Sequence, residues 1–234
     1  MNFKSVLLNN FMTRSIVKKL LPYMPRQLLQ EFMGYESLSP LEQFSFKGYN
    51  ELLSSNIDLE SEDLVLVLGG FQGISVKKWR VKFGCNVVAV EPIPTYATSL
   101  RQNFQNDSKV KVLEFAVSDR DDYLELGLEG ESTGSNAASG SRVTVPSRDI
   151  SKVLLELDQF PKVIEMNIEG GEYSCLNSLL DSKVINRIDT LLIQFHYYTT
   201  FDELSRAKIR GSLEETHQCV FEFPWVWERW DRKL

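Results

Sequence analysis

The chain has 234 residues, 43% of them hydrophobic, which suits one domain with a single core and a smaller attachment. The formal net charge of −6 argues against a nucleic-acid partner, because phosphate binding depends on clustered lysine and arginine side chains. No stretch approaches the roughly 18 consecutive apolar residues of a membrane-spanning helix, so we expect no transmembrane segment.

The three cysteines, Cys85, Cys175 and Cys219, lie far apart in the sequence. An odd, unclustered set indicates buried thiols in a reducing compartment, and it lacks the spacing of a zinc site. We therefore expect a cytoplasmic protein with no bound metal.

The first thirty residues are basic, since lysines and arginines precede the first acid, Glu31. Phe3, Leu7 and Phe11 are four apart and would share one helical face. We expect a helix that docks on the main domain and exposes its basic face. The alternatives are a targeting peptide or a membrane-surface helix, which would give peripheral membrane contact.

A strong helix start follows at Ser39-Pro40-Leu41-Glu42, with Ser39 as N-cap, Pro40 at the first helical position and Glu42 closing a capping box. The sequence thus predicts an N-terminal helical arm over residues 1–60 and a main domain over residues 61–234.

The main domain opens with an unbroken apolar run, Leu64 to Leu68, which is typical of a strand buried on both faces of a parallel sheet. A helix then ends at Gly84, and a second apolar run, Val87 to Val90, ends on Glu91-Pro92. Glycines occupy the turn after the first strand: Gly69, Gly70 and Gly73. Glu91 follows Gly73 by 18 residues, close to the roughly 20 expected for an acid that binds ribose hydroxyls. The pattern predicts a βαβ unit that binds a ribose-bearing cofactor.

Strands and helices continue to alternate, which predicts an α/β fold with a doubly wound, mostly parallel sheet. A Gly- and Ser-rich stretch, residues 127–141, is expected to be a mobile hairpin loop, or alternatively a lid over the substrate. Ser147 is expected to cap a helix. The further predicted strands are Val110–Val117, Tyr123–Leu126, Val143–Val145, Val163–Ile168, Thr190–Phe195, Cys219–Phe223 and Val226–Trp230.

Four short motifs occur in order: VLGGFQG at 67–73, AVEP at 89–92, FAVSD at 115–119 and NIEGGE at 167–172. Together they resemble the FkbM family of class I S-adenosylmethionine-dependent methyltransferases, over roughly Leu64 to His196. The resemblance implies a Rossmann-like fold with a seven-stranded sheet and a closing hairpin. It also implies O-methylation of a sugar, a polysaccharide or a secondary metabolite. The family usually carries an acid two residues before the first glycine, where this chain has Val67.

The cofactor site should lie at the carboxyl ends of the strands, where open α/β sheets bind ligands. Ala116 and Val117 are small and apolar enough to flank an adenine. The predicted S-adenosylmethionine contacts are Gly69, Gly70, Gly73, Glu91, Pro92, Ala116 and Val117.

His196 is the preferred general base, because imidazole titrates near neutral pH. Glu169 would orient the imidazole or take the proton itself. Asn167 and Glu172 are expected to contact the substrate, although Glu172 would also complement a helix dipole. His196 has a purely structural alternative. A divalent ion held by these carboxylates and His196 is a further alternative that we do not favour.

Two rival functions stay open on the sequence alone. A nicotinamide-dependent oxidoreductase is disfavoured because the glycines do not follow the dinucleotide register. A degenerate fold that only binds a partner is motivated by Val67. The acceptor is expected to be a small molecule or a glycan, and five aromatic residues are either a stacking surface for a sugar or part of the core: Tyr197, Tyr198, Trp225, Trp227 and Trp230.

Overall fold

The computed structural model describes residues 39–47, 49–127 and 142–233. The chain divides into two compact units near residue 52. The predicted domain boundary near residue 60 stays a prediction. The predicted N-terminal basic helix and most of the Gly- and Ser-rich loop lie outside the described residues.

The helices and strands of the described chain alternate as predicted. The α-helices are α1 (Pro40–Lys47), α2 (Tyr49–Ser54), α3 (Ile74–Phe83), α4 (Pro94–Asn103), α5 (Ile150–Glu156), α6 (Glu172–Asp181) and α7 (Thr200–Leu213), and a 3-10 helix spans Val184–Arg187. The strands are β1 (Leu64–Leu68), β2 (Asn86–Val90), β3 (Val110–Leu113), β4 (Ala116–Ser118), β5 (Asp122–Gly127), β6 (Arg142–Asp149), β7 (Val163–Met166), β8 (Thr190–Ile193), β9 (His217–Phe223) and β10 (Trp227–Arg232).

Helix α1 begins with the capping box that the sequence predicts. The backbone N–H and the hydroxyl of Ser39 both donate to Glu42 Oε2, at 2.9 and 2.7 Å. The Glu42 N–H donates back to the Ser39 hydroxyl at 3.4 Å. These bonds satisfy backbone donors that have no partner inside the first helical turn.

The main sheet has seven strands in the order β3-β2-β1-β7-β8-β10-β9. β10 runs antiparallel to both of its neighbours, whereas the other pairs are parallel. All five residues of β1 are buried, which explains why its sequence is continuously apolar rather than alternating. This is the doubly wound, mostly parallel sheet predicted from the sequence. No helix in the described part of the chain is long and apolar enough to cross a membrane.

The predicted strand Val110–Val117 is two strands in the structure. Val110–Leu113 pairs with β2 at the edge of the main sheet, whereas Ala116–Ser118 pairs with β6 in a second sheet of order β4-β6-β5. The antiparallel pairing of β5 with β6 confirms the hairpin prediction. The second sheet therefore adds a wall beside the carboxyl ends of the main strands.

The prediction that Ser147 caps a helix is wrong. Ser147 is a buried residue of β6, paired with Ala116, and helix α5 begins three residues later. Asp149 is the N-cap, and its carboxylate accepts a hydrogen bond from the Ser151 N–H at 2.9 Å. Both residue types make good caps, so burial in the second sheet decided between them.

The closing hairpin is confirmed by the antiparallel pairing of β9 with β10. Cys85 and Cys175 are buried as predicted, but the prediction is wrong for Cys219, which is exposed on β9. Trp227 and Trp230 are 3% and 0% exposed, so they belong to the core. Of the five aromatic residues considered as a stacking surface, these two are thereby excluded.

Candidate functional site

A cavity of about 270 Å³ lies where the carboxyl ends of β1, β2 and β7 meet the second sheet. Seven of the residues that the sequence assigns to the site line it: Gly69, Glu91, Pro92, Ala116, Val117, Asn167 and Glu169. The structure therefore brings five of the seven predicted cofactor residues and most of the NIEGGE motif to one place.

The glycine turn after β1 is shaped by close packing. Gly69 has φ +85°, and a Cβ there would lie 2.0 Å from the Asn167 carbonyl oxygen. Only glycine permits this approach between the turns after β1 and β7. Gly70 and Gly73 face Leu100 and Phe104 instead, and an added Cβ at either would come within 2.7 Å of those side chains. These two glycines position helix α3 against its neighbour and do not line the cavity.

Glu91 is 4% exposed, and its carboxylate is held from both sides by backbone. Oε2 accepts from the Phe71 N–H and Oε1 accepts from the Ile93 N–H, each at 2.9 Å. Burial raises the pKa of Glu91, although the two backbone hydrogen bonds oppose the shift. Each carboxylate oxygen can accept a second hydrogen bond, so the group is oriented to bind two neighbouring hydroxyls of a ribose.

The opposite wall of the cavity is apolar. Leu124 and Leu126 of β5 line it together with Ala116, and Tyr96 of α4 packs its ring 4.7 Å from that of Phe71. The sequence analysis missed Leu124, Leu126 and Tyr96 as site residues. The sequence does hold a signal for the two leucines, because apolar residues alternate with polar ones along β5 and the apolar face of such a strand must be covered.

Glu172 and His196 are joined by two contacts to one oxygen. Glu172 is fully buried, and its Oε1 accepts from the His196 N–H at 2.6 Å and lies 3.1 Å from the imidazole Nδ1. Its Oε2 accepts from the Gly170 N–H at 2.8 Å. The Tyr173 hydroxyl donates to the His196 carbonyl at 2.6 Å. Glu172 thus fixes His196 and does not line the cavity.

Glu169 lies on the cavity side of the same cluster. Its Oε1 is 3.4 Å from His196 Nε2, and its Oε2 accepts from the Tyr198 hydroxyl at 2.9 Å. The Tyr198 ring stacks parallel to the imidazole, with an interplanar angle of 10° and 6.1 Å between centroids. Glu169 has φ +50°, an uncommon conformation for a residue with a side chain, and the neighbouring bonds hold it there.

The two carboxylates determine the charge of the imidazole. Burial lowers the pKa of His196, but the hydrogen bonds to Glu169 and Glu172 outweigh burial and raise it to about 9. Burial raises the pKa of Glu169, but its hydrogen bond to His196 and the charge of that residue outweigh burial and lower it. Near neutral pH the cluster therefore holds an imidazolium beside an ionised Glu169.

Asn167 contributes an unpaired acceptor at the cavity wall. Its Oδ1 is buried and has no hydrogen-bond partner among the described residues. Leaving such an atom unpaired costs about 1–3 kcal/mol, so the position suits a ligand that donates a hydrogen bond. Within the described ranges, no group of histidine, cysteine, aspartate or glutamate side chains has the geometry to hold a metal ion.

The model of the methyltransferase FkbM domain matches residues 72–223. A search of curated proteins found no significant match. Among solved structures, a candidate rRNA methylase from Clostridium thermocellum has a TM-score of 0.51 at 9% identity, covering 84% of this chain and 97% of its own. An rRNA methylase from Streptococcus thermophilus has a TM-score of 0.48 at 8% identity, with coverages of 85% and 99%. The first likeness supports the fold alone.

Proposed function

The chain belongs to the FkbM methyltransferase family and uses S-adenosylmethionine as methyl donor, and from this premise we propose that its acceptor atom is a hydroxyl oxygen. The family resemblance favours a hydroxyl on a sugar, a polysaccharide or a secondary metabolite. The observation that carries the proposal is the position of Glu169, whose carboxylate lines the cavity and is held by His196 and Tyr198.

The residues of the cavity fit S-adenosylmethionine. Glu91 would hold the ribose hydroxyls, and the apolar wall around Ala116 and Leu126 suits the adenine. Asn167 Oδ1 would accept a hydrogen bond from the amino group of the methionine part, which supplies the missing donor. When bound, the cofactor supplies an electrophilic methyl group on a sulfonium.

Val67 occupies the position of the family's usual acid, and no acid on the neighbouring strand β7 takes over that role. Its register partner on β7 is Glu165, and that carboxylate accepts from Ser75 Oγ and Lys78 Nζ of α3, at 2.6 and 2.8 Å. Glu165 is 2% exposed and does not line the cavity. We therefore assign the amino end of the cofactor to Asn167.

Transfer to a hydroxyl forms an oxygen–methyl bond, breaks a sulfur–methyl bond and releases the hydroxyl proton. We assign that proton to Glu169, because an imidazolium at His196 has no lone pair with which to accept it. The carboxylate is a weak base, but the attacking oxygen becomes strongly acidic as its new bond forms. His196 and Tyr198 then act as positioning residues that aim the Glu169 oxygens.

The experiment compares Glu169→Gln with the parent enzyme, using isotope-labelled S-adenosylmethionine and a panel of hydroxyl-bearing acceptors. We expect turnover to fall about 10²- to 10⁴-fold, the usual loss for a general base. Calorimetric titration with S-adenosylhomocysteine should give a similar affinity for both proteins. Full turnover in Glu169→Gln would remove Glu169 from the mechanism, and label transfer to RNA in place of the small hydroxyl acceptors would overturn the acceptor class.

A further inference from the structure

We propose that an exposed aromatic surface beside Glu169 binds the methyl acceptor, and that it selects an uncharged, hydroxyl-bearing ring. We call this surface the acceptor shelf, and it consists of Tyr197, Tyr198, Phe201, Leu204 and Trp225. The inference rests on the proposed function, because it takes Glu169 as the group that meets the acceptor hydroxyl.

Four of the five side chains of the shelf are large, apolar or aromatic, and exposed to solvent. Phe201 and Leu204 are 74% and 70% exposed on the first turns of α7, and Tyr197 and Tyr198 are 45% and 44% exposed just before that helix. These four exposed side chains lie within residues 197–204, and exposed apolar side chains that are close together mark binding surfaces more often than scattered ones do.

The shelf is continuous with the reacting groups. The Tyr198 hydroxyl donates to Glu169 Oε2 at 2.9 Å, and Glu169 lines the cofactor cavity. A ring lying on the shelf would therefore place its substituents beside the carboxylate to which we assign the proton. The sequence alone also allowed Tyr197, Tyr198 and Trp225 to be core residues, and the partial exposure of the two tyrosines favours the stacking alternative.

The shelf is held in shape before any acceptor binds. The N–H groups of Tyr198 and Thr199 donate to Asp202 Oδ2 at 2.8 and 2.7 Å, as part of the capping box that starts α7. On the other side, Trp225 has φ +61° and its ring lies 4.9 Å from that of Tyr197. Preorganised aromatic groups lose little entropy on binding, so the arrangement suits a small acceptor.

Charge decides the class of acceptor. The guanidinium of Arg206 lies 5.0 Å from the Trp225 ring, but it is paired with both Glu222 and Glu228. The charged residues in the described lining of the cavity are two acids, Glu91 and Glu169. The described lining of the cavity would present a phosphorylated acceptor with these two carboxylates and with no lysine or arginine, so the cavity end of the shelf favours a neutral ring over an anionic one.

The test measures binding directly by saturation-transfer NMR, with the enzyme saturated with S-adenosylhomocysteine. The uncharged probes are methyl glucopyranoside and 4-methoxyphenol, which separate a sugar from a phenol as the source of the ring. Their anionic counterparts are glucose 6-phosphate and 4-hydroxybenzoate. We expect at least one uncharged probe to receive saturation, and its anionic counterpart to receive little.

Shelf variants locate the binding. Tyr197→Ala should lower the affinity for the probe about 3- to 10-fold, which corresponds to the loss of one aromatic pair. Tyr123→Ala, which removes a 71% exposed tyrosine of β5, is the matched control and should bind like the parent. Equal binding of anionic probes, binding by neither uncharged probe, or no loss in Tyr197→Ala would each overturn the proposal. The two proposals can fail separately: full turnover in Glu169→Gln would contradict the proton transfer, whereas unchanged probe binding in Tyr197→Ala, measured without turnover, would contradict the shelf.

Discussion

A single oxygen of Glu172 holds both the backbone and the ring of His196. Oε1 accepts the His196 N–H at 2.6 Å and lies 3.1 Å from Nδ1. With Nδ1 occupied on the buried side, Nε2 is left facing Glu169 at 3.4 Å. The buried Glu172 thus fixes the orientation of the imidazole, and each ring nitrogen lies beside one carboxylate.

The first prediction concerns the pH dependence of turnover at saturating substrates. The pKa of Glu169 is lowered and that of His196 is raised to about 9, so both groups stay ionised through the neutral range. If Glu169 takes the proton, the rate should be nearly constant between about pH 6 and 8 and should fall above the His196 pKa, as the positioning imidazolium is lost. A rate that rises about tenfold per pH unit towards pH 9 would instead identify neutral His196 as the base.

The second prediction concerns stability and the same histidine. A raised folded-state pKa gives stability that is fully present below the unfolded pKa near 6.5 and is lost as pH rises through about 9. The contribution is on the order of 3 kcal/mol, because each pKa unit corresponds to about 1.4 kcal/mol. Urea unfolding at pH 6 and pH 10 should show this loss in the parent and a smaller loss in His196→Gln. Identical losses in the two proteins would show that the imidazolium adds nothing to stability.

The third prediction concerns Glu91 and the ribose. Glu91→Ala removes the acceptor for both hydroxyls, and each hydrogen bond to a charged group is worth about 1.5–3 kcal/mol. Affinity for S-adenosylhomocysteine, measured by calorimetry, should therefore fall by about tenfold or more. Because Glu91 also holds the Phe71 and Ile93 N–H groups, Glu91→Gln is the control. Its amide oxygen can accept from one of these two N–H groups, so it should lose less stability than Glu91→Ala and bind with intermediate affinity. Unchanged affinity in folded Glu91→Ala would contradict the ribose assignment.

The fourth prediction separates packing from backbone strain at two glycines. Gly69 and Gly84 both have positive φ, but an added Cβ would meet the Asn167 carbonyl at Gly69 and open space at Gly84. Gly84→Ala should cost about 1–2 kcal/mol of unfolding free energy, the strain of a left-handed residue. Gly69→Ala should cost clearly more and should also weaken cofactor binding. Equal melting temperatures for the two variants would contradict the close approach.

The sequence was most informative where structure is local. Buried β1 followed by glycines, and a helix ended by Gly84, could be predicted because apolar runs and turn residues act within a few positions. The break between β3 and β4 could not, because Ala116 pairs with Ser147, far along the chain in the second sheet.

The roles of individual site residues depend on contacts that no local pattern records. Gly70 and Gly73 share a motif with Gly69, yet they pack against α4 and the residue that follows it, because the helix after the turn leans on its neighbour. The sequence left Tyr198 as either a stacking residue or a core residue, whereas its hydroxyl, in the connection after β8, donates to Glu169 in the connection after β7. Contacts between residues that follow two different parallel strands can be read only from the folded structure.

The strand order has a practical consequence for anyone who shortens this protein. The segment matched by the family, residues 72–223, begins after β1 and stops before β10. Yet β1 lies between β2 and β7, and β10 lies between β8 and β9. A fragment cut at those limits would lose two interior strands and leave four others with unpaired edges, which favours aggregation over folding. Expression should therefore begin no later than residue 61 and retain Arg232.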